Sequence, residues 1–160
     1  MNMDAQIANW MQNTRFASMD GFFWAASFSV YILCTFVLFY YFYKKNNLKA
    51  LQTTLGFGIL FVVVEALKNL FLRPRPDLSD NLSFPSRHAA FAFFIAAFLP
   101  VERKWKILLW IWAVLVGFSR LWLNVHWFSD VVAGAGIGIV TAFLIKNKKS
   151  EEKLNKIKII

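Results

Sequence analysis

The chain has 160 residues, of which 58% are hydrophobic and 18% aromatic, and its formal net charge is +9. Soluble domains are nearer half apolar. The apolar excess here lies in long uncharged runs, so the composition excludes an ordinary soluble domain and indicates an integral membrane protein. The basic residues flank or interrupt these runs, which favours contact with a membrane surface over nucleic-acid binding. The single cysteine, Cys34, excludes an internal disulfide.

The apolar pattern predicts the helices in chain order. Residues 1–20 place apolar side chains at roughly helical spacing among polar ones, which predicts a short helix lying in the membrane interface. Because about 20 apolar residues cross a bilayer as a helix, five membrane-spanning helices are predicted, at 21–43, 51–72, 86–101, 107–123 and 127–145. We therefore predict an all-α integral membrane helical bundle, in one domain over residues 1–160, that ends in a lysine-rich segment at 146–160.

The distribution of positive charge predicts the orientation of this bundle. Basic residues that follow the first, third and fifth spans number twelve of the 18 in the chain, and lysine and arginine favour the cytoplasmic side. That side, with the segment 146–160, is therefore predicted to be cytoplasmic. The six other basic residues fall at the opposite ends of the spans, and they are Arg15, Lys68, Arg73, Arg75, Arg87 and Arg120. Five of these six lie in polar islands, which predicts a functional site at the extracytoplasmic face.

Three polar islands interrupt the apolar sequence, at residues 68–76, 84–88 and 119–130. Arginines such as Arg120 bind phosphate or carboxylate through paired hydrogen bonds. Pro85 is expected to open a helix, which places Ser86 where free backbone N–H groups bind anions. His126 and Asp130 are four residues apart, so on a helix they share one face and the carboxylate can orient the imidazole.

Together the islands contain K-x6-RP, PSxH and SR-x5-H-x3-D, in that order. This pattern resembles the type 2 phosphatidic acid phosphatase family of membrane lipid phosphatases, over Lys68 to Asp130. The resemblance implies that His126 attacks phosphorus to form a phosphohistidine, that Asp130 fixes its tautomer, and that His88 protonates the departing lipid oxygen. The phosphate-binding residues are then expected to be Lys68, Arg75, Ser86, Arg87 and Arg120.

Arg87 departs from the resemblance, because the family commonly has glycine at this position. One hypothesis is that Arg87 holds the second phosphate of a diphosphate substrate, and the alternative is that it anchors its helix at the headgroups. Arg73 is expected to be solvated or to contact lipid phosphate rather than to act in catalysis. Glu65 is expected to pair with Lys68, three residues away, in an orienting role.

Short family members with Arg-Pro-Arg-Pro in the first motif and no glycine in the second motif resemble undecaprenyl-diphosphate phosphatases, so that substrate is expected first. Phosphatidylglycerophosphate, phosphatidic acid and lipid A phosphate stay open as substrates. A non-catalytic lipid-phosphate binder or transporter is the alternative from another class. The expected partners are therefore the lipid substrate and membrane lipids, with no nucleic acid. We expect no metal or other cofactor, because only two histidines are present and the surrounding cations repel a metal ion.

The glycines of the last span, Gly134, Gly136 and Gly138, are expected to let neighbouring helices approach closely.

Overall fold

The computed structural model describes residues 3–146, which form six α-helices and one short 3-10 turn, with no strand in this part of the chain. The helices are α1 (Met3–Thr14), α2 (Asp20–Tyr43), α3 (Asn47–Phe71), α4 (Arg87–Phe98), α5 (Arg103–Trp122) and α6 (Phe128–Ile145). The predicted all-α membrane class is confirmed. Of the predicted basic segment 146–160, only Lys146 falls within the described residues.

Four helices, α2, α3, α5 and α6, are long and apolar enough to cross a membrane, and they correspond to four of the five predicted spans. Helix α3 begins four residues earlier than predicted because Asn46 caps it, with its Oδ1 accepting a hydrogen bond from the N–H of Lys49 at 3.1 Å. It ends at Phe71, and Leu72 adopts a left-handed φ of 43° just before the first proline of the island. Large apolar side chains on the outer faces of these helices are exposed, as expected for contact with lipid.

Helix α4 is shorter than the span predicted at 86–101. It has 12 residues and is therefore about 18 Å long, whereas the hydrocarbon core of a bilayer is about 30 Å thick. Leu99 and Pro100 end the helix. Lys106, in the first turn of α5, satisfies the terminal carbonyl groups: its Nζ donates to the oxygens of Ala96, Ala97 and Leu99 at 2.8, 3.1 and 2.6 Å. The predicted count of five full-length spans is thus not confirmed by helix length.

The short helix α4 lies at the centre of the bundle, where it packs against α2, α3, α5 and α6. Four of its five alanines, with Phe94 and Phe98, are almost completely buried. Helix α6 approaches closest: a Cβ on Gly138 would collide with the carbonyl oxygen of Ala90, and one on Gly134 would collide with that of Ser86. A Cβ on Gly136 would meet nothing within 4 Å. The expected packing role is therefore seen for two of the three glycines and is wrong for Gly136.

We expect Gly138→Ala to lower the free energy of unfolding by about 1–3 kcal/mol, because the new methyl group overlaps backbone atoms that no rotamer change can move. Gly136→Ala is the matched control, and it is expected to be neutral or to stabilise the helix by up to about 1 kcal/mol. Thermal unfolding of both variants in the same detergent measures the difference. Equal effects at the two positions would contradict this account of the contact between α4 and α6.

Candidate active site

A cavity of about 250 Å³ lies where α3 ends and α4 begins. Its walls come from α3, the connection between α3 and α4, α4, α5 and the connection between α5 and α6, and the lining residues are Glu65, Lys68, Arg75, Asp80, Leu82, Arg87, His88, Arg120 and His126. Six of the eight predicted site residues therefore line one space, although they are up to 58 positions apart in sequence. The other two, Ser86 and Asp130, are fully buried behind the wall.

Positive charge dominates the lining. Four cationic side chains and two carboxylates give a net charge of +2 when the histidines are neutral. Lys68 and Arg120 are each only 5% exposed. The Nζ of Lys68 donates to the carbonyl oxygen of Leu82, and Nη1 of Arg120 donates to Oγ of Ser27 on α2. Their hydrogen-bond partners are neutral, and within residues 3–146 neither residue forms an ion pair, so the cavity favours an anion that carries more than one negative charge.

The two carboxylates hold the remaining cations. Nε of Arg75 lies 2.7 Å from Oδ1 of Asp80, and Nη1 of Arg87 lies 2.9 Å from Oε1 of Glu65. Burial raises the pKa of Asp80, but hydrogen bonds from the N–H of Leu82 and from Arg75 outweigh it and hold the pKa below its usual range. Glu65 thus forms its ion pair with Arg87 on α4, whereas Nζ of Lys68 donates to Leu82 and interacts with Glu65 only at longer range.

Two arginines that line the cavity, Arg87 on α4 and Arg120 on α5, also carry donors without a partner. The Nε atoms of Arg87 and Arg120 are buried and have no hydrogen-bond partner. A buried donor without a partner costs about 1–3 kcal/mol, so an anion that accepts from these groups is favoured. His88, in the first turn of α4, also lines the cavity, and its ring centroid lies 5.1 Å from that of Tyr31 on α2.

His126 lies in the turn that precedes α6, rather than on a helix with Asp130 as the spacing suggested. Asn124, two residues earlier, takes a left-handed φ of 56°, which lets the chain reverse after α5. The imidazole is only 4% exposed. Burial lowers its pKa to about 4; Asp130 opposes this shift, and Arg120, Lys68 and Arg75 add to it. The imidazole is therefore neutral at pH 7.

Asp130 faces His126 and is itself fixed by other donors. Its Oδ2 lies 3.6 Å from Nδ1 of His126, which is too long for a hydrogen bond, so the contact is electrostatic. The same oxygen accepts from Oγ of Ser83 and, at 2.8 Å, from the N–H of Trp127. Its Oδ1 accepts from Nη1 of Arg73 at 2.7 Å. The carboxylate is thereby held in one orientation towards the imidazole.

Ser86 is the N-cap of α4 and does not reach the cavity. Its Oγ accepts from the N–H of Ala89 at 3.5 Å, and its own N–H donates to the carbonyl oxygen of Asp130 at 3.0 Å. The first bond caps α4, and the second fixes the start of α4 against α6. The structure therefore places Ser86 as a support between the helices that carry His88 and Asp130.

Sequence patterns missed the residues that surround Asp130. The expectation that Arg73 is solvated or contacts lipid is wrong, because its guanidinium forms ion pairs with Asp130 and with Asp4 of α1, both at 2.7 Å. Ser83 was not predicted as a site residue either, although its hydroxyl donates a hydrogen bond to Asp130. The only sequence feature that could have indicated a role for Arg73 is the repeated Arg-Pro at 73–76. Nothing in the sequence links Asp4 to the three motifs.

A metal centre finds no support in the arrangement of side chains. Over residues 3–146, no group of three or more histidine, cysteine, aspartate or glutamate side chains is arranged to hold a metal ion.

Comparison with known proteins agrees with this geometry. The model of the PAP2 superfamily matches residues 48–153. The chain is 34% identical to phosphatidylglycerophosphatase B of Bacillus subtilis over 123 residues, which cover 66% of this chain and 60% of that protein. It is 30% identical to the undecaprenyl-diphosphatase of Sulfolobus acidocaldarius over 128 residues, 72% of this chain and 62% of that one. The crystal structure of Aquifex aeolicus LpxE superposes with a TM-score of 0.79 at 26% identity, covering 91% of this chain and 95% of the other.

We expect acid to destabilise the protein partly through His126. The unfolded imidazole titrates near 6.5 and the folded one near 4, so between these values the unfolded state binds more protons and stability falls as the pH is lowered. By about pH 5, the free energy of unfolding should have fallen by about 2 kcal/mol through the titration of His126. Melting temperatures at about pH 7 and about pH 5 should therefore differ more for the wild type than for His126→Gln. The same difference in both proteins would show that His126 is not buried as a neutral group.

Proposed function

The chain belongs to the PAP2 superfamily, and from this premise we propose that it is a membrane lipid phosphatase that hydrolyses a lipid phosphate or diphosphate. The main observation behind this proposal is a cavity with a net charge of +2 that is also lined by a buried, neutral His126 beside a fixed carboxylate. The aligned part of the chain spans 60% of the first curated relative and 62% of the second. Because so much of each relative lies outside the alignment, the proposed activity is argued from the residues of this chain rather than transferred from the relatives.

The proposed reaction uses these residues in two steps. With Nδ1 of His126 turned to Asp130, Nε2 on the other side of the ring attacks phosphorus. The bond from this phosphorus to the leaving oxygen breaks, which is the bridging oxygen of a diphosphate or the lipid oxygen of a monophosphate, and the leaving oxygen takes a proton from His88. Water, which gives a proton back to His88, then attacks the phosphohistidine and releases inorganic phosphate. Lys68, Arg75 and Arg120 neutralise the phosphoryl oxygens throughout.

We propose undecaprenyl diphosphate as the substrate, which is converted to undecaprenyl phosphate. Arg87 supports a diphosphate, because it lines the same cavity as the other three cations and its Nε has no partner. A relative named undecaprenyl-diphosphatase is consistent with this choice. Phosphatidylglycerophosphate, phosphatidic acid and lipid A phosphate are the alternative substrates, and a non-catalytic lipid-phosphate binder or transporter is the alternative class.

We further propose that the chain forms one membrane phosphatase domain. Its cavity opens at the extracytoplasmic side, and Lys146 lies on the cytoplasmic side. Helix α4 starts at the cavity and α5 returns to it, so α4 acts as the fifth crossing in spite of its length. The ammonium of Lys106 makes this possible, because it meets the last carbonyls of α4 from the next helix. A lipid headgroup can then enter the cavity while its tail stays in the bilayer.

Phosphate release from a panel of lipid mono- and diphosphates, by detergent-solubilised protein, tests the activity. We expect release that chelators do not reduce, and a loss of about 10³-fold or more in His126→Ala, because the nucleophile is removed. Lipid binding without phosphate release would favour the binder or transporter. Release that survives His126→Ala would contradict the proposed nucleophile.

The Arg87→Gly variant tests whether Arg87 selects a diphosphate lipid over a monophosphate lipid. It should reduce kcat/KM for a diphosphate lipid by about tenfold more than for a monophosphate lipid, because only the former loses a charge-assisted contact. Arg103→Gly is the matched control, since Arg103 also begins a helix but is exposed at the opposite end of the bundle. Equal losses on the two lipids in Arg87→Gly would remove Arg87 from substrate selection.

A further inference from the structure

A continuous chain of ion pairs joins the N-terminal helix to the candidate nucleophile. Oδ2 of Asp4 accepts from Nη2 of Arg73 at 2.7 Å, and Nη1 of Arg73 donates to Oδ1 of Asp130 at 2.7 Å. Asp130 in turn faces His126. The chain crosses three elements that are far apart in sequence: α1, the connection after α3, and α6.

Ser129 reinforces the junction between α1 and α6. Its N–H donates to Oδ1 of Asp4 at 2.9 Å, and its hydroxyl contacts both Asp4 and Arg73, at 2.6 and 2.7 Å. Asp4 therefore caps the N-terminus of α6 from another helix, a place where a carboxylate is favoured by the helix dipole. The turn that carries His126 ends at this capped terminus.

The segment around Arg73 is also fixed against the turn. The guanidinium lies 5.5 Å from the ring centroid of Trp127, and Nε1 of Trp127 donates to the carbonyl oxygen of Pro74 at 2.7 Å. Asp130 has no exposed surface, and the side chains of Asp4 and Arg73 are 12% and 29% exposed. The ion pairs are therefore partly shielded from water, which makes them stronger than pairs on an open surface.

We propose that Asp4 and Arg73 are positioning residues: Arg73 holds the carboxylate of Asp130 against His126, and Asp4 holds Arg73 and the start of α6. Through Asp4, α1 becomes a support of the active site, although α1 does not line the cavity. This assignment rests on the proposed function only for its effect on phosphate release. The geometry of the four side chains stands independently of the substrate.

The first test is a double-mutant cycle between Arg73 and Asp130 on phosphate release. Arg73→Ala should lower kcat by about 10- to 100-fold in the wild type, with a smaller change in KM, and by less than about threefold in Asp130→Asn, because the residue acts through Asp130. Arg73→Lys should restore part of the loss. Arg15→Ala is the matched control: Arg15 also pairs with a carboxylate near α1, Asp20, at 2.6 Å, but away from the cavity. Losses that multiply in the double variant would overturn the proposal.

The second test needs no activity. Diethyl pyrocarbonate modifies neutral imidazole, so peptide mass spectrometry of its reaction with His126 across pH reports how this residue titrates. The charged or titratable groups that face His126 are Asp130 from α6, Arg120 from α5, His88 from α4, Lys68 from α3, Arg75 from the connection after α3, and Asp4 from α1, which lines a small void beside the ring. Apart from Asp4, all of them are unchanged in the variants compared.

The two variants should shift this titration in opposite directions. Arg73→Ala leaves the charge of Asp130 less neutralised, which favours the imidazolium and moves the midpoint to higher pH. Burial raises the pKa of Asp4, but Ser129 and Arg73 outweigh it and hold the pKa below its usual range. Asp4→Asn therefore removes a real negative charge and should move the midpoint to lower pH. Asp20→Asn should leave it unchanged.

Shifts in the same direction, or none, would show that α1 only stabilises the fold and would overturn the proposal. If the wild type releases no phosphate from any lipid, the proposed function fails, and the titration still decides the positioning role.

Discussion

The structure depends on keeping uncompensated positive charge inside a protein that is surrounded by hydrocarbon. A buried cation is costly unless hydrogen-bond acceptors or opposite charges surround it. Here Lys68 and Arg120 rely on a backbone carbonyl and a hydroxyl, whereas Arg75 and Arg87 each have a carboxylate. The result is a cavity whose lining carries a net positive charge although two of its cations are paired with carboxylates. Burial, with a smaller contribution from these cations, lowers the pKa of His126 and keeps it unprotonated, which is the form that can attack phosphorus.

Helix packing is arranged to bring these groups together. The glycines of α6 let it touch the backbone of α4 at Ser86 and Ala90, so that the turn with His126 and the turn with His88 come side by side. A short α4 follows from this packing, because its far end need only reach the ammonium of Lys106. Centring the bundle on a small, alanine-rich helix allows four longer helices to converge on one site.

The sequence alone predicted most of the membrane-spanning helices and most of the residues that line the cavity. Apolar runs gave four of the spans because lipid solvation acts on every residue of a helix. The rare charges between the runs pointed to the cavity residues, since ionisable groups in membranes are seldom placed without function. Helix-face spacing, however, names only local partners, so it paired Glu65 with Lys68 when the partner was Arg87 on another helix. The contact between Asp4 and Arg73, 69 positions apart, leaves no local pattern at all.

The central claim is that His126 becomes covalently phosphorylated in a cavity whose cations stabilise the transferred group. Rapid quenching of the wild type with a lipid radiolabelled in its terminal phosphate, followed by peptide mapping under conditions that preserve phosphohistidine, tests it directly. The account predicts a transient, acid-labile label on the peptide that contains His126, and none in His126→Gln. A label on His88, or substrate turnover with no labelled peptide under any quench time, would contradict it.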